Sequence, residues 1–223
     1  MENAITNYLS ELVQPRESLF QDMEQYATEH HVPIMDIVGM ETLLQLLRVQ
    51  KPKKILEVGA AIGYSGLRMA DTLPNVTIIT IERDEERATV AKQYIQTSNL
   101  AEQISLIQGD ALEVVEEVKM HGPYDAIFID AAKGQYQRFF DLYAPMLSEQ
   151  GVIYTDNVLF KGLVATPEEE VEQIEPKRIR QLVKKIKSYN HWLMNHEEYY
   201  TMIVPVGDGL AITTRRVRPN EEA

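Results

Sequence analysis

The chain has no cysteine among its 223 residues, and it has no long apolar run. Without cysteine, disulfide bonds and thiolate metal sites are excluded. No apolar stretch approaches the roughly 20 residues that a membrane-spanning helix needs. The amphipathic, acidic start of the chain also differs from a secretory signal. We therefore expect no membrane association and a cytoplasmic location.

Basic residues are scarce over most of the chain, which has a formal net charge of -12. Residues 1–174 contain 13 Lys and Arg against 28 Asp and Glu, whereas residues 175–218 contain 9 against 4. This C-terminal basic segment indicates either a polyanionic partner or an ordinary solvated helix face. Its candidate phosphate contacts are Lys177, Arg178, Arg180, Lys184, Lys185, Lys187, Arg215, Arg216 and Arg218.

The hydrophobic pattern predicts an α/β fold. Three helices are expected in the first 50 residues, at about 3–13, 18–31 and 36–49, separated by prolines. Strands then alternate with helices, which favours a parallel sheet with right-handed crossovers. The strands are expected at 54–58, 76–81, 104–108, 124–129 and 151–155, and the helices at 64–73, 84–98, 111–120 and 135–146. A helix at 177–187 and a hairpin of strands 199–204 and 210–214 complete the chain.

The segment ILEVGAAIGYS, residues 55–65, has the pattern of a strand, a glycine turn and the start of a helix. Gly59 permits the tight turn, and Gly63 permits close backbone approach at the helix N-terminus. The spacing differs from G-x-G-x-x-G, which argues against an NAD-dependent dehydrogenase. Glu82 ends the second strand, where a carboxylate can accept ribose hydroxyls. Asp110 follows the third strand and serves either a nucleoside ligand or the cap of the next helix.

Polar side chains also follow the fourth and fifth strands. Asp130 and Lys133 lie in FIDAAK, and Asp156 and Asn157 lie in IYTDN. Carboxylate and amide oxygens suit Mg²⁺, Mn²⁺ or Ca²⁺ better than zinc. A cation nearby would favour the neutral form of the lysine, which can then act as a base. Taken singly, Asp156 and Asn157 also fit a turn or a helix cap, and Lys133 also fits an ordinary surface lysine.

In this order and at these spacings, the motifs E-x-G-x-x-x-G-Y-S, G-D-A, F-I-D-x-x-K and T-D-N resemble the metal-dependent O-methyltransferases of the catechol/caffeoyl-CoA type. The resemblance covers about residues 30–215. It implies a Rossmann-like class I methyltransferase fold with a seven-stranded, mostly parallel sheet in the order 3-2-1-4-5-7-6. Helices are expected on both faces, with extra helices at the N-terminus. It also implies the cofactor S-adenosylmethionine and a divalent metal, most simply Mg²⁺.

The resemblance assigns roles to individual residues. Contacts to S-adenosylmethionine are implied for Met35, Gly59, Gly63, Ser65, Glu82, Asp110, Ala111 and Asp130. The metal ligands would be Asp130, Asp156 and Asn157, and the catalytic residues would be Lys133, as the base, and Asp130. We expect a single methyltransferase domain over residues 1–223, with a helical cap at 1–50 and a Rossmann-like core at 51–218.

Further segments are similar to the subgroup of this family that methylates 5-hydroxyuridine in bacterial tRNA. They are HHVPIM, FIDAAKGQYQ, TDNVLFKGLVA, YNHWLMNH and PVGDGLAI. The resemblance implies a tRNA anticodon loop as the substrate and a homodimer as the assembly. Two alternatives remain: an O-methyltransferase for small catechols or phenols, and a non-catalytic protein that binds S-adenosylmethionine or RNA.

Overall fold

A computed structural model describes the backbone of residues 2–216 and the side chains of residues 4–216. The helices are α1 Glu2–Leu12, α2 Ser18–Glu29, α3 Ile37–Gln50, α4 Tyr64–Thr72, α5 Glu85–Thr97, α6 Val115–Met120, α7 Tyr136–Tyr143, α8 Glu168–Val171 and α9 Lys177–Met194. The strands are β1 Lys54–Val58, β2 Thr77–Glu82, β3 Ile104–Gln108, β4 Tyr124–Ile129, β5 Leu147–Thr155, β6 Tyr199–Val204 and β7 Leu210–Arg215. Arg218, a candidate phosphate contact, lies outside the described residues.

The strands form one seven-stranded sheet in the order β3-β2-β1-β4-β5-β7-β6, which confirms the predicted fold. Strands β1 to β5 pair in parallel, and β7 enters antiparallel between β5 and the edge strand β6. The carboxyl ends of β1 to β5 therefore lie along one edge of the sheet. In open α/β sheets this edge carries the ligand site.

Apolar side chains cover both faces of the sheet. In β1, Ile55 packs into the cluster on one face, and Leu56 and Val58 pack into the cluster on the other. Burial on both faces explains why the central strands have almost continuous apolar sequences. Helices α2, α3 and α4 cover the first face, whereas α6, α7 and α9 cover the second. None of the helices in the described part of the chain is long and apolar enough to cross a membrane.

Several elements differ from the sequence-based prediction. The helix expected from residue 111 begins only at Val115, because Asp110 starts a separate turn: its side chain accepts from Leu112 N at 2.9 Å. The alternative in which Asp110 caps this helix is therefore wrong. Strand β5 begins at Leu147 rather than at residue 151. Helix α9 continues to Met194, because Tyr189 and Leu193 extend its buried stripe.

Candidate active site

Backbone hydrogen bonds bring the ends of β1, β4 and β5 together. Asp130 N donates to Val58 O at 3.0 Å, and Asp156 N donates to Ile129 O at 3.1 Å. Each of these two aspartates is therefore the first residue after its strand and is held against the neighbouring strand. Their side chains are delivered to the same edge of the sheet, as the sequence predicts for residues that follow adjacent parallel strands.

A cavity of about 830 Å³ opens at this edge. That volume suits a ligand of nucleoside size together with a second small group. Almost all of the predicted site residues line it: Met35, Gly59, Ser65, Glu82, Asp110, Ala111, Asp130, Lys133, Asp156 and Asn157. Gly63 is the exception, because it lies behind the turn and faces Ala91 of α5.

The glycine turn lets β1 and β4 approach closely. Gly59 has a φ of 106°, and a Cβ at this position would collide with the carbonyl oxygen of Asp130. Gly63 has a φ of 84° and caps the N-terminus of α4, where only a residue that tolerates left-handed backbone fits well. Both glycines are thus required by backbone geometry. Only Gly59 also borders the cavity.

Glu82 and Asp110 border the part of the cavity beside β2 and β3. Glu82 is 7% exposed, and its carboxylate accepts from Ala61 N at 2.7 Å and from Asp84 N at 2.8 Å. It therefore fixes the glycine turn as well as facing the cavity. Asp110 lies 3.8 Å from an Arg83 guanidinium nitrogen in a solvent-exposed ion pair.

A buried carboxyl, for which no role was predicted from the sequence, lies directly behind the glycine turn. Glu57 is fully buried, and its two oxygens accept hydrogen bonds from the hydroxyls of Ser65 and Thr80. Burial, reinforced by the negative charges of Asp130 and Glu82, raises its pKa to about 7. The hydroxyl of Ser65, predicted to bind the cofactor, is thus oriented by Glu57. The first letter of the E-x-G motif was the only signal for this contact.

The other end of the cavity holds the predicted metal and base residues. Asn157 adopts a left-handed φ of 59°, and its backbone N–H donates to Asp156 Oδ1 at 2.6 Å. Its amide nitrogen donates to Asp156 Oδ2 at 3.0 Å. Lys133 Nζ donates to Asn157 Oδ1, which holds the lysine nitrogen next to the predicted metal ligands. The hydroxyl of the buried Tyr136 donates to the backbone oxygen of Asp156 at 2.8 Å.

Negative charge is concentrated at this end. Burial is the main cause that raises the pKa of Asp156 to about 8, and the negative charge of Asp130 is the next. The hydrogen bond from the Asn157 N–H lowers this pKa. Burial also raises the pKa of Asp130, Lys133 lowers it, and Asp208 raises it further. Asp208, which was not predicted from the sequence as a site residue, lies in the turn between β6 and β7 and lines the cavity.

A cation that binds between two buried carboxyl groups with raised pKa values stabilises their charged forms. Their oxygens and the Asn157 amide form the hard donor set that Mg²⁺ or Ca²⁺ prefers. Within residues 4–216, no three His, Cys, Asp or Glu side chains are grouped to hold a metal by themselves. A bound ion would thus depend on the amide, and on further oxygens from a ligand or water. With that condition the residues fit a hard divalent cation.

The N-terminal helices and the β6–β7 turn cover the cavity. Met35 is 6% exposed and lines it, and Asp36 accepts from Val38 N and Gly39 N to cap α3. Gly207 packs so closely on Asp36 that a Cβ there would collide with the carboxylate. Thr6 of α1 also lines the cavity. The first 30 residues, which carry no recognisable motif, therefore contribute to the site.

A partly buried polar network connects this cover to the glycine turn. Tyr64, the first residue of α4, donates through its hydroxyl to Glu24 Oε1 of α2 at 2.6 Å. Arg68 donates to the Tyr64 oxygen at 2.8 Å and pairs with Glu41 of α3. Arg16 pairs with the same Glu24 at 2.6 Å. The helices α2 and α3 are thereby tied to the residue that follows Gly63.

Comparisons with known proteins agree on one family. Residues 10–216 match the O-methyltransferase family. The chain is 31% identical to a caffeoyl-CoA O-methyltransferase of Stellaria longipes, over 90% of this chain and 85% of that protein. It is 33% identical to a catechol O-methyltransferase of Niastella koreensis, over 72% of this chain and 75% of that protein.

A solved structure gives the same result. The crystal structure of a suspected caffeoyl-CoA O-methyltransferase from Staphylococcus aureus is 38% identical to this chain. It superimposes with a TM-score of 0.88, covering 96% of this chain and all of the other. The fold is therefore the Rossmann-like methyltransferase fold, and the chain belongs to the O-methyltransferase family.

Proposed function

We propose that this chain is an S-adenosylmethionine- and Mg²⁺-dependent enzyme that methylates 5-hydroxyuridine at the wobble position of tRNA anticodons, giving 5-methoxyuridine. One observation carries the proposal: a single cavity joins a nucleoside-like end, at Glu82 and Asp110, to an oxygen-rich end beside Lys133. A methyl donor with an adenosine group fits the first end. An acceptor hydroxyl that must lose a proton fits the second.

The side chains have distinct tasks in this reaction. Glu82 and Asp110 would accept hydrogen bonds from the donor, and Met35 would cover it and exclude water. Asp130, Asp156 and Asn157 would hold a divalent cation, which when bound supplies Lewis acidity that favours a deprotonated acceptor hydroxyl. Lys133, as the neutral amine, would take the acceptor proton on Nζ. The fixed turn at Gly59 aligns the donor for in-line transfer.

The acceptor needs two adjacent oxygens that can approach one cation. Catechol has such a pair, and 5-hydroxyuracil offers one through its 5-oxygen and O4. The five sequence segments shared with the tRNA-modifying subgroup favour the second acceptor. An anticodon base is also unpaired, so it can enter the cavity without the opening of a duplex. The named activities of the caffeoyl-CoA and catechol relatives favour the alternative, a small catechol or phenol.

Methyl transfer from labelled S-adenosylmethionine distinguishes the two acceptors. The protein is incubated with Mg²⁺ and tRNA that carries or lacks 5-hydroxyuridine, and with catechol in a parallel reaction. We expect label only in the tRNA that carries the modified base, at a rate well above that for catechol. Label in catechol and never in tRNA would overturn the tRNA assignment and leave the small-molecule alternative.

We also propose that the chain forms a homodimer through α1. Ile5, Tyr8, Leu9 and Leu12 follow the i, i+3, i+4, i+7 spacing of one helix face, and all four are at least 40% exposed. The helix carries no Lys or Arg, so the face suits neither RNA nor an anionic membrane. A second copy offers the same apolar face, as a two-fold interface requires.

Light scattering coupled to gel filtration tests this assembly. We expect the wild-type chain to elute as a dimer and Leu9→Asp to elute as a monomer, because a charge would be buried in the contact. Asn7→Asp, which adds the same charge on the opposite side of α1, is the matched control and should remain dimeric. A monomeric wild-type chain, or a dimeric Leu9→Asp variant, would contradict the proposed interface.

A further inference from the structure

Most of the basic side chains predicted to contact phosphate already have partners. In α9, Arg180 and Lys184 pair with Glu172, and Lys187 pairs with Glu168 at 3.1 Å. The acidic segment around α8 therefore neutralises one side of the helix. In a solvent-exposed setting these pairs are weak, but each lowers the net charge that a phosphate would meet.

Arg215 of β7 and the following Arg216 are similarly engaged. Arg215 donates to the backbone oxygens of Ala144 and Leu147 at 3.1 Å. Arg216 lies 3.9 Å above the ring of Tyr200 and donates to two further backbone oxygens. Both guanidinium groups thus hold the sheet edge together. They are poorly placed to serve as a phosphate surface.

Two other lysines lie near the acceptor end of the cavity, and one of them lines it. Lys161 is exposed and lines the cavity on the loop after β5. Lys185 of α9 is exposed, and its Nζ lies 3.5 Å from the position that a Cβ on Gly134 would occupy, next to Lys133. Within residues 4–216, neither lysine makes an ion pair. Both charges therefore remain available to a ligand.

The backbone under these lysines is fixed. The carbonyl oxygen of Asp208 accepts from Leu159 N at 2.8 Å and from Phe160 N at 3.2 Å, and its carboxylate accepts from Lys161 N at 3.3 Å. Helix α9 packs against both the Lys133–Gln135 turn and the Leu163–Ala165 turn. The two lysines thus lie on separate elements near the acceptor end, and contacts hold the backbone under each of them.

We propose that Lys161 and Lys185 contact the phosphates on the two sides of a nucleotide whose base enters the acceptor end. The inference rests on the proposed function and assigns its substrate class as a polynucleotide strand rather than a free phenol. A catechol has no group for either lysine. A strand that splays one nucleotide into the cavity brings a phosphate to each side of it. Phe160 lines the cavity beside Lys161 and offers a ring on which the base can stack.

Variants that remove the charge but keep a polar side chain of similar size test the proposal. The double variant Lys161→Gln/Lys185→Gln is compared with Lys53→Gln, which removes an exposed charge before β1, at the opposite end of the strands. The substrates are an anticodon stem-loop RNA containing 5-hydroxyuridine and the free nucleoside 5-hydroxyuridine. KM is measured for both, and RNA binding is followed by fluorescence anisotropy over a range of salt concentrations.

We expect the double variant to raise KM for the RNA about tenfold and to leave KM for the nucleoside unchanged. The slope of log affinity against log salt should fall by about 0.7 for each phosphate that the variant no longer neutralises. RNA values equal to those of Lys53→Gln would overturn the proposal. An equal loss with the nucleoside would also overturn it, because the lysines would then act on the base.

The binding measurement separates this inference from the proposed function. If the wild-type protein methylates no RNA, the proposed acceptor is wrong. The salt slopes still decide the phosphate contacts in that case. A lower slope for the double variant supports them, and slopes equal to the wild-type value overturn them.

Discussion

Replacement of Lys133 with alanine is expected to lower methyl-transfer turnover by about 10²–10⁴-fold, the usual contribution of a general base. Lys133 Nζ donates to the Asn157 amide oxygen and is therefore the cavity lysine that contacts a predicted metal ligand. Cofactor affinity should stay within roughly twofold of wild type, because the Glu82 and Asp110 end of the cavity is unchanged. Turnover is measured with saturating acceptor, and cofactor affinity by calorimetry.

A second substitution distinguishes a base from a positive charge. Lys133→Arg keeps the charge and can still donate to Asn157, but a guanidinium group stays protonated and cannot accept the acceptor proton. We expect its turnover to be nearly as low as that of Lys133→Ala. Recovery of wild-type turnover in the arginine variant would show that Lys133 acts through its charge alone. Unchanged turnover in Lys133→Ala would remove it from the mechanism.

Removal of divalent cations is expected to lower turnover by at least about a thousandfold, since Lewis acidity at such sites contributes several kcal/mol. Asp156→Ala should reproduce the loss at every Mg²⁺ concentration, because it deletes the buried carboxylate on which the cation would depend. Asp71→Asn removes an exposed carboxylate of α4 that does not line the cavity, and it should behave as wild type. Full turnover in the presence of EDTA would contradict the metal assignment.

The same site predicts how stability depends on pH. The folded-state pKa of Asp156 is raised to about 8, so the metal-free protein retains a proton there that the unfolded chain releases near pH 4. Stability of the metal-free protein should therefore fall as pH rises from about 4 to 8. A bound cation removes that loss, so Mg²⁺ should raise Tm more at pH 8 than at pH 6. Equal increases at both pH values would show that Asp156 is not a ligand.

Much of the fold, and the grouping of several site residues, could be predicted from local sequence patterns. Continuous apolar runs mark the central strands because both faces of the sheet are buried, and residues that follow parallel strands must share one edge. The sequence alone therefore predicts that Asp130, Asp156 and Asn157 lie close together. The exact end of a helix depends on packing at its last turn, which explains why α9 runs past residue 187 to Met194.

The unpredicted contacts join residues far apart in sequence. Asp208 comes from the last hairpin, and nothing in PVGDGLAI shows that its turn reaches Asp130 and the Phe160–Lys161 loop. The polar network of Arg16, Tyr64 and Arg68 likewise depends on how the N-terminal helices pack. The charge of the C-terminal basic segment could be predicted, but the pairing of Arg180, Lys184 and Lys187 with Glu168 and Glu172 could not. Such pairings follow from tertiary packing rather than from local pattern.

The position of Asp208 has a consequence for the order in which the protein becomes active during synthesis. Strands β1 to β4, with the glycine turn and Glu82, leave the ribosome early and can begin to assemble as an N-terminal unit. The loop that carries Lys161 stays unsupported until β7 inserts beside β5 and Asp208 binds Leu159 and Phe160. A chain truncated before this hairpin would therefore lack the contacts that support the Phe160–Lys161 loop. Methyl transfer should begin only after β6 and β7 have joined the sheet.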